Sequence, residues 1–172
     1  MLKPILMVAL VVVGTGISSP ASGDSTASAQ ALNPCALLKT DDVQSLAGKE
    51  TVAEGVSSSL EPFGSVTCRY AWGVGANHFK VDITINDASR MFPGMSPEQI
   101  KQRLLGSVRP GSSDAVVSDV GEAAVFRADS ALYAGATAIS KGHIIEVHAD
   151  GFVAREMKDQ VIALLKSAVS RL

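Results

Sequence analysis

The residues in this chain whose types could do chemistry are few, and they include its two cysteines, Cys35 and Cys68. Two thiols are too few for a four-ligand zinc site, and the absence of a C-x-x-C spacing gives no support to a thioredoxin-like motif. In an oxidising compartment, an even number of cysteines favours a structural disulfide between them. A catalytic cysteine with a histidine partner stays open as the alternative.

A second group lies in the stretch "HIIEVHADGF", where a strand would project Glu146, His148 and Asp150 from one face. A carboxylate, an imidazole and a second carboxylate are ligands for Zn²⁺ or Cu²⁺. Alternate residues of a flat strand stand about 7 Å apart and rarely converge on one ion. The solvated outer face of an antiparallel strand explains the same pattern, so the metal site is the alternative interpretation.

A third group, Met91, Phe92 and Met95, lies in "DASRMFPGMSPEQ" between Pro and Gly residues. As the edge of a loop over a sheet, these side chains could line an apolar ligand pocket, because methionine suits adaptable binding surfaces. Packing of the same residues on their own helix is the competing interpretation.

Catalytic motifs are missing from the sequence: there is no G-x-S-x-G, no S-x-x-K and no H-E-x-x-H. Three histidines and scattered serines leave a small secreted hydrolase as a hypothesis only, since spacing cannot show a triad. We therefore expect a non-enzymatic protein that needs no cofactor.

The N-terminal segment predicts the compartment. Lys3 precedes an apolar run from Ile5 to Val13, and small and polar residues lead to Ala27-Ser28-Ala29. This pattern is typical of a signal peptide over residues 1–29, and the apolar run is far short of the roughly 20 residues that span a bilayer. An uncleaved N-terminal anchor is the alternative, and the folded part would be exported in either case. We expect a periplasmic or secreted chain with no stable membrane anchor after cleavage, because Cys35 follows Asn33-Pro34 rather than an apolar region and does not suit lipidation.

Composition narrows the partners further. The net charge is −2, and aromatic residues are sparse, with one Trp, two Tyr and five Phe. A weakly acidic chain of this kind lacks the excess of positive charge that binds nucleic acid, and it has few aromatic residues on which bases or sugars could stack.

The remaining pattern predicts residues 30–172 as a single disulfide-containing domain. Helices are expected over about 35–39, 40–48, 97–108 and 153–172. Asn33 and Thr40 are the predicted N-caps of the first two, and Ser96 and Gln99 form a capping box for the third. The last helix carries an apolar stripe of Met157, Val161, Leu164, Leu165, Ala168 and Leu172. Strands are expected over about 51–60, 65–72, 77–86, 114–119, 122–128, 131–140 and 142–149, and apolar and polar residues alternate in the third of them, with Phe79, Val81, Ile83 and Ile85 on one face. Strands with one wet face favour an antiparallel sheet. The predicted class is α+β, with two layers and the helices packed on one face of the sheet.

Three stretches, "NPCALLKTDDVQSLAG", "CRYAW" and "DVGEAAVF", together resemble a family of secreted bacterial proteins and lipoproteins catalogued only as a domain of unknown function. The residues that carry the resemblance are Asn33, Pro34, Cys35, Leu37, Leu38, Thr40, Val43, Gly48, Cys68, Trp72, Gly121, Glu122 and Ala124. The resemblance implies a Cys35–Cys68 disulfide, an α+β fold and no established activity. The chain departs from many members in lacking a lipobox cysteine.

These observations together predict an exported, non-enzymatic binding domain that takes a protein partner or an apolar small ligand on one face of its sheet. A periplasmic metal-binding protein using Glu146, His148 and Asp150 is the second hypothesis. A small secreted hydrolase is the third.

Overall fold

Seven strands form one antiparallel sheet in the computed structural model, which describes residues 32–60, 64–73 and 78–172. The alternation of apolar and polar side chains is clearest in the third of them, over Phe79–Asp87. Their bounds are β1 Val56–Leu60, β2 Ser65–Trp72, β3 Phe79–Asp87, β4 Ala115–Val117, β5 Ala123–Ser130, β6 Tyr133–Ser140 and β7 His143–Asp150. The order across the sheet is β1-β2-β3-β7-β6-β5-β4. Strand β7 is therefore central, with β3 on one side and β6 on the other.

Several helices of the described residues begin at side chains that cap them. They are α1 Pro34–Leu37, α2 Thr40–Ala47, α3 Ala88–Met91, α4 Pro97–Leu105 and α5 Lys158–Ser170, and a 3₁₀ turn over Ala154–Met157 precedes the last. The Asn33 side chain accepts from the amide of Cys35 at 3.0 Å. Ser96 and Gln99 form a reciprocal capping box at the start of α4. The predicted α+β class and both of these predicted caps are confirmed.

The main core lies on what we call the inner face of the sheet, the side that carries Cys68, Tyr70, Ile83, Ile145 and Val147. All five residues are fully or almost fully buried, beneath α1, α2 and α5. Helix α5 contributes the apolar stripe that its sequence predicted, and the buried members of that stripe are Val161, Leu164, Leu165 and Ala168. A stripe of this kind stabilises a short helix mainly through tertiary packing.

The disulfide ties α1 to this core. Cys35 of α1 is bonded to Cys68 of β2, with a Cα–Cα distance of 5.2 Å, so both cysteines are oxidised. Next to it, the Tyr70 hydroxyl donates to the Leu38 carbonyl, and burial together with the charge of Asp42 raises the pKa of Tyr70 to about 12. The structural interpretation of the cysteines is confirmed, and a catalytic role that needs a free thiol is excluded.

The opposite side of the sheet, the outer face, is also covered in part. Neighbouring residues of a strand point to opposite faces, so Ile144 lies on the outer face when Ile145 lies on the inner one. Ile144 belongs to a second apolar cluster with Ile139, Ala88 and Ile100, against which Met91, Phe92, Met95 and Leu104 pack. Helices α3 and α4, together with the segment between them, supply most of that cluster. The predicted arrangement of two layers with all helices on one face is therefore corrected. The apolar stripe of α4 needs burial, and Ile139 and Ile144 provide an apolar patch for it on the outer face.

Three boundaries also differ from their predictions. Helix α3 lies in a segment predicted to be loop, because the Asp87 carboxylate accepts from the amides of Ser89 and Arg90 and caps a short turn. The N-cap of α2 is Lys39 rather than Thr40, and the Asp42 carboxylate accepts from the Lys39 amide at 2.8 Å. The last α-helix starts at Lys158 rather than near Val153.

The predicted signal peptide over residues 1–29 lies outside the described residues. Among the residues that are described, no helix combines the length and the apolar character needed to cross a membrane.

Candidate functional site

The polar side chains of the outer face fall into two regions with different chemistry. Over β2 and β3 they pair with each other: Arg69 binds Asp82 at 2.8 Å, and the hydroxyls of Thr67 and Thr84 are 2.8 Å apart. Such cross-strand pairs satisfy the polar groups of a solvated sheet face. This region needs no ligand to explain it.

The second region begins on β7, where Glu146, His148 and Asp150 share the outer face as predicted. His148 Nε2 lies 3.3 Å from Glu146 Oε2. Asp150 is instead bound by Lys80 of β3, with Nζ and Oδ2 2.7 Å apart, and the lysine is the largest cause of the lowered pKa of this carboxyl. The structure thus brings two of the three predicted metal ligands into contact and assigns the third to a different partner.

The side chain of His148 is closely packed by its neighbours. Its ring stacks on Tyr133 with centroids 5.0 Å apart, and only 16% of its side chain is exposed. Because a carboxylate can only accept, Nε2 carries the hydrogen in the contact with Glu146. Nδ1 is buried and has no hydrogen-bond partner among the described residues. His148 therefore orients Glu146 on the sheet surface and has little exposed surface of its own.

The metal hypothesis has limited geometric support. Within residues 32–60, 64–73 and 78–172, no group of three or more His, Cys, Asp or Glu side chains is placed to hold a metal ion. A tightly bound Zn²⁺ takes at least three protein ligands. Glu146 and His148 alone do not reach that number.

A cavity of about 290 Å³ opens beside Glu146, between α3, α4 and the outer face. Its size is close to the lower end of the roughly 300–1,000 Å³ typical of ligand pockets. Most of its lining is apolar and is supplied by Met91, Phe92, Ile100, Leu104, Ile139 and Ile144. Ile100, Ile139 and Ile144 are buried, so the floor is part of the second core cluster.

Polar groups line the same cavity. The polar residues of the lining are Arg103, Arg127, Glu146, Ser107 and Thr137. The Arg103 guanidinium lies over the Phe92 ring, 5.4 Å from its centroid, which is within the range of a cation–π contact. In the part of the chain that the structure describes, neither arginine forms an ion pair with a carboxylate.

The structure places the three predicted ligand-binding residues at two different cavities. Met91 and Phe92 line the cavity, whereas Met95 packs in the same apolar cluster and lines a neighbouring cavity of about 270 Å³ with Ala88 and Pro97. Sequence reasoning missed Arg103 and Arg127. The one signal for Arg127 was its place in β5, on the outer face opposite Gly135 and next to the buried Val125.

The hydrolase hypothesis finds no assembled triad. Among the hydrogen bonds formed within the described residues, none joins a serine hydroxyl to a histidine ring. A serine nucleophile needs a base within hydrogen-bond reach.

Comparison with known proteins adds no relative: no protein-family model, no curated protein and no solved structure matches this chain.

Proposed function

We propose that this chain is an exported, non-enzymatic domain that binds a small, largely apolar ligand in the cavity between α4 and the outer face of the sheet. The observation that carries the proposal is the cavity itself, with an apolar floor and a few polar groups at its edge. Small-molecule sites in proteins have this composition.

Two further features support export. The disulfide is of a kind that forms and persists in oxidising compartments. The N-terminal residues have the pattern of a signal peptide, and the resemblance to an uncharacterised secreted family points to the same compartment.

The cavity favours a small ligand over a protein partner. Helices α3 and α4, packed on the outer face, leave a concave space between Phe92, Leu104 and Ile144. A protein interface of ordinary size buries about 800 Å² on each partner, which is far more surface than this recess offers.

The test is a titration with N-phenyl-1-naphthylamine, a neutral apolar dye whose fluorescence rises when it leaves water. The variants are Leu104→Trp, which places an indole in the cavity, and the control Val116→Trp, which adds the same side chain at an exposed edge position. We expect saturable binding to the wild type and to the control, and binding to Leu104→Trp weakened about tenfold or more, because lost contacts of about 1.4 kcal/mol already give that factor.

Equal affinities in all three proteins would contradict the proposal, as would the absence of saturable binding to the wild type. Thermal melts establish that Leu104→Trp is folded. Met91→Trp, which blocks the cavity from α3, gives a second and independent variant.

A further inference from the structure

The geometry of the two arginines points to the class of ligand: we infer that this cavity binds a short amphipathic carboxylate. In this arrangement Arg127 and Arg103 hold the anionic head, and the apolar chain lies on the floor of the cavity. The inference rests on the proposed function and adds the chemistry of the head group to it.

Arg127 is the first reason. The strand register places it opposite Gly135, which is in turn opposite His148, so Arg127 projects from the outer face into the cavity. The residue is half-buried, yet its guanidinium has no carboxylate partner within the described residues. A charge that is partly removed from water and left without a partner is costly, whereas an anionic ligand would stabilise it.

The contrast with Arg69 strengthens this point. Arg69 projects from the same face of the same sheet and is more exposed, but its guanidinium binds both carboxylate oxygens of Asp82, at 2.8 and 2.9 Å. The more exposed arginine, Arg69, is therefore neutralised by a carboxylate of the neighbouring strand. The arginine at the cavity is left with its donors available.

Arg103 is the second reason. Its guanidinium carbon lies 5.4 Å from the centroid of the Phe92 ring, and both residues line the cavity. A contact over the ring leaves N–H donors of the guanidinium for a ligand, and their planar fork matches a planar carboxylate. Phe92 itself belongs to the apolar lining, so the head-binding and chain-binding surfaces are adjacent.

The carboxylate of Glu146 does not make the net charge of the cavity lining negative. Two arginines line the cavity against one glutamate, and the N–H of His148 is directed at the carboxylate of that glutamate. An amphipathic cation would meet two like charges. The cavity volume of about 290 Å³ limits the apolar chain to a short one, so octanoate is a suitable probe.

The experiment measures displacement of N-phenyl-1-naphthylamine at neutral pH and low salt by octanoate, 1-octanol and octylammonium, which share one chain and differ in the head group. We expect octanoate to compete at about tenfold lower concentration than octanol, the factor expected for a charge-assisted hydrogen bond, and octylammonium to compete least. Arg127→Met should remove the preference for octanoate over octanol. Arg127→Lys keeps the charge without the fork and should retain part of that preference.

The matched control is Arg69→Met, which removes a guanidinium from the same face away from the cavity and should leave the preference unchanged. Dye binding with equal competition by octanoate and octanol would overturn the carboxylate inference and leave the proposed function standing. A preference for octanoate that survives both Arg127→Met and Arg103→Met would also overturn it, because the anion would then bind elsewhere. Failure of the dye to bind at all would reject both.

Discussion

The imidazole of His148 lies directly over Gly135 of the neighbouring strand, so closely that a Cβ atom at position 135 would stand 2.6 Å from Nδ1. The two residues are cross-strand partners, and the missing side chain of Gly135 makes the space for the ring. Tyr133, two residues earlier on the same strand, stacks on that ring. The position of His148, and through it the contact with Glu146, therefore depends on a glycine of β6.

Gly135→Ala should displace the His148 ring and destabilise the protein by about 1–3 kcal/mol, the cost of overpacking a filled site. Urea unfolding measures the free energy, and the NMR signals of the His148 ring report the lost stacking on Tyr133. The control is the same substitution in a His148→Ala background. There the cost should disappear, since alanine suits a strand better than glycine when nothing blocks it. An equal cost in both backgrounds would contradict the contact with His148 as its cause.

Removal of the disulfide should cost much of the stability. The 33-residue separation of Cys35 and Cys68 corresponds to about 3–4 kcal/mol in the chain-entropy model. We expect Cys35→Ser together with Cys68→Ala to lower the melting temperature by roughly 10 °C, and dithiothreitol to lower that of the wild type equally while leaving the double variant unaffected. An unchanged melting temperature in the double variant would show that the disulfide has no structural role.

The ends of the described chain are joined by a second contact, between Arg171 and Asp42. The guanidinium of Arg171 donates to the Asp42 carboxylate, at 2.9 Å for Oδ1, and also to the Leu37 carbonyl at 2.8 Å. The hydrogen bond from Arg171 is the main cause of a lowered pKa at Asp42. The charged carboxylate is thus favoured in the folded state.

Asp42→Asn should lower the free energy of unfolding by about 1–2 kcal/mol at pH 7, because a hydrogen bond to a charged group contributes about 1.5–3 kcal/mol and the partial exposure of this pair reduces that value. The contribution of a carboxyl with a lowered pKa is present above its unfolded value of about 4 and is lost as the pH falls below it. The gap between variant and wild type should therefore close progressively as the pH falls below about 4 in urea unfolding experiments. A gap independent of pH would contradict a role for the charge, and Asp41→Asn, the exposed neighbour, serves as the control.

Metal binding through β7 is expected to be weak. Only Glu146 and His148 are in contact, and Asp150 is bound by Lys80. Calorimetry with Zn²⁺ and Cu²⁺ should give the same small heats for the wild type and for His148→Ala. Micromolar or tighter binding that disappears in His148→Ala would contradict this expectation and restore the metal hypothesis.

Local interactions explain which features were predictable from the sequence. The alternation of Val81 and Ile83 with Lys80 and Asp82 predicted the strand and its two faces. The caps at Asn33 and at Ser96 join residues two or three positions apart, so they too are visible in the sequence. Contacts between residues this close in the chain can be predicted without knowledge of the tertiary structure.

The covering of the outer face was not predictable in this way. The alternating pattern of β7 is the same whether its outward side faces water or a helix, and only the packing of Ile100 on Ile144 decides between them. Asp150 is likewise separated from Glu146 and His148 because it binds Lys80 of β3, and the strand order places β3 next to β7.

By itself, then, the sequence determined the strands, the capped helices, the apolar stripe of α5 and the cysteine pair, because each depends on periodicity, on neighbours a few residues apart or on a count of residues. The tertiary structure alone decided that α3 and α4 pack on the outer face and that Phe92, Arg103 and Arg127 line one cavity. Those residues come from different elements, and the order of strands in the sheet brings them together. Such an order is set by the whole set of non-local contacts and by no single segment of the chain.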